Sequence, residues 1–369
     1  MNDLLATSGF RADLAAVSRL RREREVAADL AGPAATSELL TLHHREVMLT
    51  GGKPEDLLAL SSHVDAAVER FPRWPDLRLL RVTLALGVHR ADIAAAALQA
   101  VPRLVEQPPG RVLAADLAQF TGDYAAARAG YRWAAREDPR WQTTARLAAL
   151  AVATGEVEEA DDLYTAAEDD ITAEQMRAFA WVRVQRAELA RALGDPDRAG
   201  RFLADADHAY PDWWYVTAYR AALDLALGRW ESAIDGYRGV LAHVDRPDFR
   251  EALGTAYAGA GRENCAAECH ALAVSAYLAS VARGEVHYRH HLAAFHADVH
   301  PHARAAVAWA RQDVELRRTG PTLSLLAWCL HRAGEQEEAL AVLDEAFALG
   351  AGDPLLQART RRIRQGGRS

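Results

Sequence analysis

The hydrophobic and polar positions of the chain follow a helical pattern over most of its length. Apolar residues recur every three to four positions with charged residues between them, which is typical of amphipathic α-helices. No stretch combines sustained two-residue alternation with turn residues, so no β-sheet is predicted. Pro139, Pro211 and Pro247 fall where a helix should end, since proline cannot continue a helix. The pattern therefore predicts an all-α chain.

The helical pattern also repeats. A glycine is followed by an alanine five residues later and often by a bulky residue nine residues later, as in Gly122, Ala127 and Tyr131. Six glycines in this phase are separated by 33, 39, 34, 33 and 73 residues: Gly122, Gly155, Gly194, Gly228, Gly261 and Gly334. The last interval covers two periods, which predicts a degenerate unit that lacks its glycine near His300. Weaker copies extend back to Gly52.

Each repeat predicts two antiparallel helices joined at the glycine. Glycine accepts the left-handed backbone that ends a helix. The alanine is small enough to let the two helices approach closely, and the bulky residue one turn later fills the space between them. A chain built in this way stacks each unit on its neighbours and needs no single large core.

The segment 122–139, Gly-Asp-Tyr-Ala-Ala-Ala-Arg-Ala-Gly-Tyr-Arg-Trp-Ala-Ala-Arg-Glu-Asp-Pro, resembles the second half of a tetratricopeptide repeat. Leu253, Gly254 and Tyr257, which precede Gly261, are similar to its first half. The resemblance covers about residues 50–350 and implies a right-handed α-solenoid of about eight to nine helix pairs. On this basis residues 1–50 form N-terminal capping helices, 51–350 the repeat array, and 351–369 a C-terminal capping helix with a basic tail.

Composition and charge narrow the classes of function. The chain has 369 residues, a net charge of −8 and a pI near 6.0, which argues against a nucleic-acid-binding protein. All its basic residues except Lys53 are arginines, a bias typical of GC-rich bacterial coding. The first residues do not resemble a signal peptide, and no apolar stretch approaches the roughly 18 residues of a membrane span. Three cysteines are too few for a disulfide scaffold. We therefore expect a cytoplasmic protein without a membrane partner.

One segment could carry metal chemistry. Six of the 14 histidines fall between His287 and His302, and helical spacing predicts that His287, His290 and His291 share one side of a helix. Cys265 and Cys269 lie one turn apart on the preceding helix, and thiolates and imidazoles together can bind zinc or iron. The alternative is a structural role, because free cysteine packs as a small hydrophobe and no standard zinc signature is present.

The resemblance also implies that the first helix of each pair lines a concave groove. Counting back from each turn predicts a set of groove residues with the aromatic, charged and histidine side chains that commonly anchor interfaces. They are Trp181, Glu188, Arg191, Tyr215, Glu251, His287, His290, Asp298, Trp328, His331 and Arg332.

The chain contains no recognisable catalytic or nucleotide-binding motif and no triad spacing. The sequence thus predicts a non-enzymatic scaffold, without a cofactor, that binds a protein or peptide in this groove. Two alternatives stay open: a metal-binding protein or metalloenzyme built around residues 265–302, and self-association of the solenoid.

Overall fold

The computed structural model describes residues 9–27 and 32–366. Over these residues, helices are the only regular secondary structure. Residues 1–8, 28–31 and 367–369, which include parts of the predicted N-terminal cap and basic tail, lie outside the described ranges. The helices are α1 Phe10–Ala27, α2 Pro33–Leu49, α3 Pro54–Arg70, α4 Pro75–Gly87, α5 Ala91–Gln99, α6 Pro102–Val105, α7 Pro108–Thr121, α8 Tyr124–Glu137, α9 Trp141–Thr154, α10 Val157–Asp169, α11 Met176–Ala192, α12 Pro196–Ala209, α13 Trp214–Ala226, α14 Trp230–Leu241, α15 Pro247–Gly259, α16 Glu263–Ala282, α17 Arg289–Ala294, a π-helical turn Phe295–Val299, α18 Ala303–Leu316, α19 Gly320–Arg332, α20 Gln336–Ala348 and α21 Pro354–Gly366.

Consecutive helices pack as pairs, which confirms the predicted all-α helical-repeat solenoid. Within the described residues the pairs begin with α2/α3 and α4/α5 and continue from α7/α8 to α19/α20, and α21 packs on the last of them. The repeat alanines Ala127, Ala160 and Ala199 are almost completely buried where two helices cross. Tyr131, the bulky residue of its unit, is also buried, and its hydroxyl donates to Asp116 Oδ1 at 2.7 Å. The repeat pattern therefore marks the contacts inside each pair.

The first helices of successive pairs form the inner wall of the solenoid. The first helix α13 contacts both α11 and α15, and α4 contacts α7. Second helices such as α12 and α14 pack against the first helix of their own pair and of the next one. The first helices therefore form one continuous surface, and its use as a binding groove stays a prediction.

The solenoid winds back onto itself, and its two halves meet along a contact line that we call the seam. Three seam hydrogen bonds join residues 195 to 197 positions apart: Tyr210 to Asp13, Arg246 to the Gly51 carbonyl, and Gly320 N–H to the Tyr124 hydroxyl. Asp13 lies in the first turn of α1, whereas Gly51 and Tyr124 lie at the turns of the pairs α2/α3 and α7/α8. Because the separation is nearly constant, the start of α1 and these turns lie in order on the loops between the C-terminal pairs.

Two repeat glycines have a second role at the seam. Gly122 and Gly155 both have a positive φ, of 90° and 85°. A Cβ at Gly122 would lie 2.2 Å from the Arg318 carbonyl oxygen, and one at Gly155 would lie 2.5 Å from that of Gly352. Glycine is therefore required there both by the turn and by the close approach of the other half of the solenoid.

In the degenerate unit near His300, the two helices are joined by an unusual turn without a glycine. The first helix of this pair, α17, continues into the π-helical turn Phe295–Val299, and His302 then caps α18. Its Nδ1 accepts from the Ala305 N–H at 3.2 Å, as an Asn or Ser side chain would. A π turn and a histidine cap replace the missing glycine.

The helix α16 contradicts the expectation that no apolar stretch approaches the length of a membrane span. Its 20 residues are long and apolar enough to cross a membrane by length and composition, although no stretch of this kind was predicted. The helix packs on α15 as the second member of a pair. Only 22% of its most apolar window is buried.

Candidate functional site

Four of the predicted groove residues meet on α11 and α13. Arg191 donates to both oxygens of Glu188, at 3.0 and 2.9 Å, and this pairing raises the pKa of the Arg191 guanidinium. The ring of Tyr215 lies 4.8 Å from that of Tyr219, and Trp181 packs partly buried against the same core. The structure thus brings Trp181, Glu188, Arg191 and Tyr215 to one region of the inner wall.

This region opens into a cavity that we call the central pocket. It has a volume of about 280 Å³ and is lined mainly by aromatic side chains, including Tyr215, Tyr219 and Phe249. Arg246 also lines it, but both ends of its guanidinium are bound to Asp248, at 3.0 and 2.9 Å. The charges of the central pocket are therefore already satisfied inside the chain.

Four other predicted residues meet near the C-terminal end of the inner wall. The Trp328 indole N–H donates to Asp298 Oδ1 at 2.8 Å. The ring of His331 lies 5.6 Å from that of Trp328, and the Arg332 guanidinium lies 6.0 Å from it. Trp328 and Asp298 border a cavity of about 240 Å³, which we call the C-terminal pocket. Its other lining residues are Leu355, Ala358, Arg359 and Arg362.

The two arginines that line the C-terminal pocket, and Arg332 beside it, differ from most other arginines in the chain. Among the described residues, no carboxylate oxygen lies within 4.0 Å of a nitrogen of Arg332, Arg359 or Arg362. Arg359 is half-buried, makes one bond of 3.3 Å to Ser324 Oγ, and has its pKa lowered by burial. By contrast, Arg311 binds both oxygens of Glu338 at 2.9 Å. Asp298, which also lines the pocket, attracts the Arg359 guanidinium and opposes the effect of burial on its pKa. The described lining of the C-terminal pocket therefore combines two arginines, Arg359 and Arg362, with one carboxylate that bonds to Trp328.

A third cavity, of about 470 Å³, lies at the seam. Its charged groups are paired within the chain, as Arg146 Nε is with Asp116 Oδ1 at 2.8 Å. Arg317 lies over the Phe120 ring at 5.8 Å and also contacts Asp313 at 3.3 Å. This cavity therefore offers a ligand fewer free charges than the C-terminal pocket does.

Glu251, another predicted groove residue, turns into its own helix pair. Its Oε2 accepts from the buried Tyr277 hydroxyl on α16 at 2.8 Å. Burial raises the pKa of the Glu251 carboxyl to about 7. The structure thus gives Glu251 a packing partner and does not place it in either pocket.

The prediction that three histidines share one side of a helix is wrong. The helix α17 begins at Arg289, so His287 lies in the preceding connection and does not share a helix face with His290 and His291. His290 Nδ1 lies 2.9 Å from Asp313 Oδ2, whereas His291 stacks on Tyr277 at 5.4 Å. His287 and His291 both lie against the Tyr288 ring, at 4.9 and 5.7 Å, whereas only His290 is bound to a carboxylate oxygen at hydrogen-bond distance.

The five predicted metal-ligating residues do not converge. Over residues 9–27 and 32–366, no group of three or more His, Cys, Asp or Glu side chains is arranged to hold a metal ion. Cys265 and Cys269 lie near the start of α16, while the histidines follow its end, which corresponds to a distance of about 25 Å along the helix. Cys265 is exposed, and Cys269 packs partly buried beside the α15 core. The length of α16 separates the two halves of the expected site.

Sequence reasoning missed a histidine pair at the seam. His89 takes the left-handed backbone in the α4–α5 turn, with a φ of 59°, and its ring lies 6.0 Å from that of His287. Burial lowers the pKa of His89 to about 3 and that of His287 to about 4. The only sequence signal near His89 is a weaker copy of the repeat, whose glycine, Gly87, lies two residues earlier.

No protein-family model matches the chain, and no curated protein sequence matches it. Among solved structures, it is similar to the APC/C hetero-tetramer Cut9-Hcn1, with 14% identity, a TM-score of 0.52 and coverage of 93% of this chain. The chain spans 59% of the length of that structure's chain. It is also similar to the human IFIT1 dimer with PPP-AAAA, with 15% identity, a TM-score of 0.50 and coverage of 92% of this chain and 90% of that one.

A third solved structure with this type of repeat is TTC0263, a thermophilic TPR protein of Thermus thermophilus. It shares 22% identity with a TM-score of 0.38, over 46% of this chain and 90% of the other. At these identities the likenesses bear on fold alone. Together with the helix pairs and the buried repeat positions, the first two likenesses show that the chain has the fold of a tetratricopeptide-type α-solenoid.

Proposed function

We propose that the chain is a scaffold that binds an acidic segment of a partner protein at the C-terminal pocket. The observation that carries this proposal is the excess of arginine over carboxylate at the pocket. Arg359 and Arg362 line it, Arg332 lies 6.0 Å from the Trp328 ring, and none of the three has a carboxylate oxygen within 4.0 Å among the described residues. Most arginines elsewhere in the chain are ion-paired, as Arg262 is with Glu231 at 2.7 Å.

The chemistry of the pocket favours a short segment with one apolar side chain and neighbouring carboxylates. Trp328 offers an indole face, and its N–H is already held by Asp298, which fixes the ring. Carboxylates bind guanidinium groups in a geometry that arginine suits better than lysine does. Buried aromatic and arginine anchors are each worth roughly 2 kcal/mol or more at interfaces.

The charge of the whole chain favours a protein over a nucleic acid. At a net charge of −8 the chain as a whole repels polyanions, and the free positive charge is local to one pocket. The IFIT1 structure was solved with PPP-AAAA. The fold alone therefore does not decide between a protein and a nucleic-acid ligand for the present chain, and a binding experiment has to do so.

Selection from a displayed library of random 12-residue peptides tests the proposal directly. We expect the selected peptides to be enriched in Asp and Glu beside one aromatic or aliphatic residue. Fluorescence polarisation with one such peptide should show at least tenfold weaker binding to Trp328→Ala and to the double variant Arg332→Ala/Arg362→Ala, about 1.4 kcal/mol for each. Arg136→Ala, an exposed arginine on α8, is the matched control and should bind as the wild type does.

Two results would contradict the proposal. One is that selected peptides carry no acidic bias, or bind the pocket variants as tightly as the wild type. The other is that a single-stranded RNA oligonucleotide binds the wild type more tightly than the peptide does and loses affinity in the same variants. The second result would keep the site but change the class of ligand.

The metal-binding alternative has no comparable observation behind it, because its candidate ligands are separated along α16. Elemental analysis of untagged protein, purified with and without added zinc or iron, tests this alternative independently. A stoichiometric metal that persists in the double variant Cys265→Ser/His290→Gln would require a different ligand set.

A further inference from the structure

The outward face of α16 is unlike that of the other second helices. Its buried residues, Ala266, Ala273, Tyr277 and Ser280, lie on one side and pack on the solenoid. The opposite side is exposed and consists of small and aliphatic residues, with Leu272 and Leu278 exposed to 49% and 45%. Between the two leucines, Ala271, Ser275 and Ala279 form a low ridge at helical spacing.

A neighbouring helix shows what an ordinary outer face looks like in this chain. The second helix α12 exposes Asp197, Arg201 and Asp205 at corresponding spacing. An exposed apolar stripe of this length on one helix of an array is a feature that marks an interaction surface. Its small central residues would let another helix approach closely.

We propose that α16 pairs with α16 of a second copy of this chain, antiparallel and centred on Ser275. An antiparallel pair related by a two-fold axis matches residues at equal distances from its centre. Centring on Ser275 places Leu272 of one copy level with Leu278 of the other. Ala271 of one copy is then level with Ala279 of the other, so small residues meet in the middle.

The charges at the ends of α16 fit the same register. Glu268 is exposed, has no ion-pair partner among the described residues, and would stand one residue from the level of Arg283 of the second copy. Arg283 binds Glu285 through Nε and Nη2, at 2.8 and 3.0 Å, which leaves Nη1 for a second carboxylate. Helical geometry puts Glu268 and Arg283 on the same side of the pair. A parallel pairing would instead bring the two Glu268 carboxylates together.

Charge complementarity therefore selects a second copy over a lipid bilayer as the occupant of this face. A single helix pair is a small interface, so the dimer should be weak and depend on concentration. The dimer leaves the inner wall and the C-terminal pocket free and does not depend on the proposed peptide binding.

Sedimentation equilibrium on the full chain tests the pairing. The wild type should associate reversibly to a dimer, and Leu272→Glu should weaken association at least tenfold without lowering the melting temperature. Leu193→Glu, at a leucine exposed to a similar degree on α11–α12, is the matched control and should dimerise as the wild type does. Glu268→Arg should weaken the dimer, and the double variant Glu268→Arg/Arg283→Glu should regain it.

A disulfide tests the register. Ser275→Cys lies on the predicted two-fold axis and should form a disulfide-linked dimer under mild oxidation. The natural Cys265 lies about 15 Å from Ser275 along the helix, so the two Cys265 thiols of an antiparallel pair are about 30 Å apart and should not link. A wild type that is monomeric at high concentration overturns the proposal, as does linkage through Cys265 without Ser275→Cys. Binding of the monomer to phosphatidylcholine vesicles, abolished by Leu272→Glu, would overturn it in favour of a membrane.

Discussion

The imidazoles of His89 and His287 meet edge to face across the seam, with their ring centroids 6.0 Å apart. The side chain of His287 is about 90% buried, and neither of its nitrogens has a hydrogen-bond partner; His89 Nδ1 is also buried and unpaired. Both rings are therefore held neutral in the closed solenoid, since a buried charge without a partner is costly. Arg317 on a facing element adds positive charge nearby.

This pair predicts that the seam weakens as the pH falls. Burial lowers the pKa of His89 to about 3 and that of His287 to about 4, from 6.5 in an open chain. The opened or unfolded state therefore binds protons first, so stability is fully present above about pH 6.5 and is lost progressively below it. At pH 5 each histidine could cost up to about 2 kcal/mol.

Hydrogen exchange at seam amides, measured from pH 7.5 to 5 and corrected for intrinsic rates, checks this prediction. The double variant His89→Asn/His287→Gln should lose much of the pH dependence, because Asn tolerates the left-handed backbone of His89 and neither amide side chain titrates. Asp313 and Glu285 are close enough to moderate the effect. A double variant with the pH profile of the wild type would show that other buried groups, such as His291, carry it.

A comparison of two glycines separates the effect of the seam contact on stability from the effect of the turn. Gly122 and Gly194 have similar positive φ values, of 90° and 81°, but a Cβ meets the Arg318 carbonyl at 2.2 Å only at Gly122, while the space at Gly194 is open. Gly122→Ala and Gly194→Ala should share the backbone strain, and only the first should disturb the seam. We expect Gly122→Ala to lower the free energy of unfolding by ~1–3 kcal/mol more. Equal losses in urea denaturation would mean that the seam contributes little.

Loss of the buried hydrogen bond from the Tyr210 hydroxyl to Asp13 should destabilise the seam locally. Tyr210→Phe removes the 2.7 Å bond, while Asp13 keeps Arg45 at 2.7 Å. We expect a cost of about 1–2 kcal/mol, since the acceptor is charged. Exchange of the Phe10 N–H, which donates to the Pro211 carbonyl at 3.2 Å, should speed up. Unchanged protection of this amide would mean that α1 is held by apolar packing alone.

The histidine that caps α18 predicts an unusual pattern of substitution. His302→Ala removes the acceptor for the Ala305 N–H and should cost about 1 kcal/mol. His302→Asp should keep or improve stability, because aspartate is among the best N-cap residues and favours a helix N-terminus. Thermal denaturation at pH 7.5 checks both variants. A less stable Asp variant would show that the His302 ring matters through its contact with His296, 6.1 Å away.

The sequence by itself determined the architecture of each unit. Spacing alone predicted the helix pairs, because a glycine that ends a helix and an alanine that admits its neighbour are local requirements visible within one repeat. It also singled out Trp328, Asp298, His331 and Arg332, and the structure brings these four together. Within one unit, the periodicity of the sequence is enough to predict the helix pair.

Other features depend on contacts between residues far apart in the chain. The separation of Cys265 from His290 follows from the length of α16, and the change of His287 from a helical residue to a connecting one follows from where α17 begins. That Arg359 forms no direct ion pair among the described residues could not be predicted, since pairing depends on which carboxylates the fold brings within reach.

The seam was decided only by the tertiary structure. The curvature of the solenoid is a sum of small rotations between units, and no single repeat encodes the point at which the two halves meet. That sum places Gly122 against Arg318 and His89 against His287, and so gives a turn glycine and an inconspicuous histidine roles that their own repeats do not show.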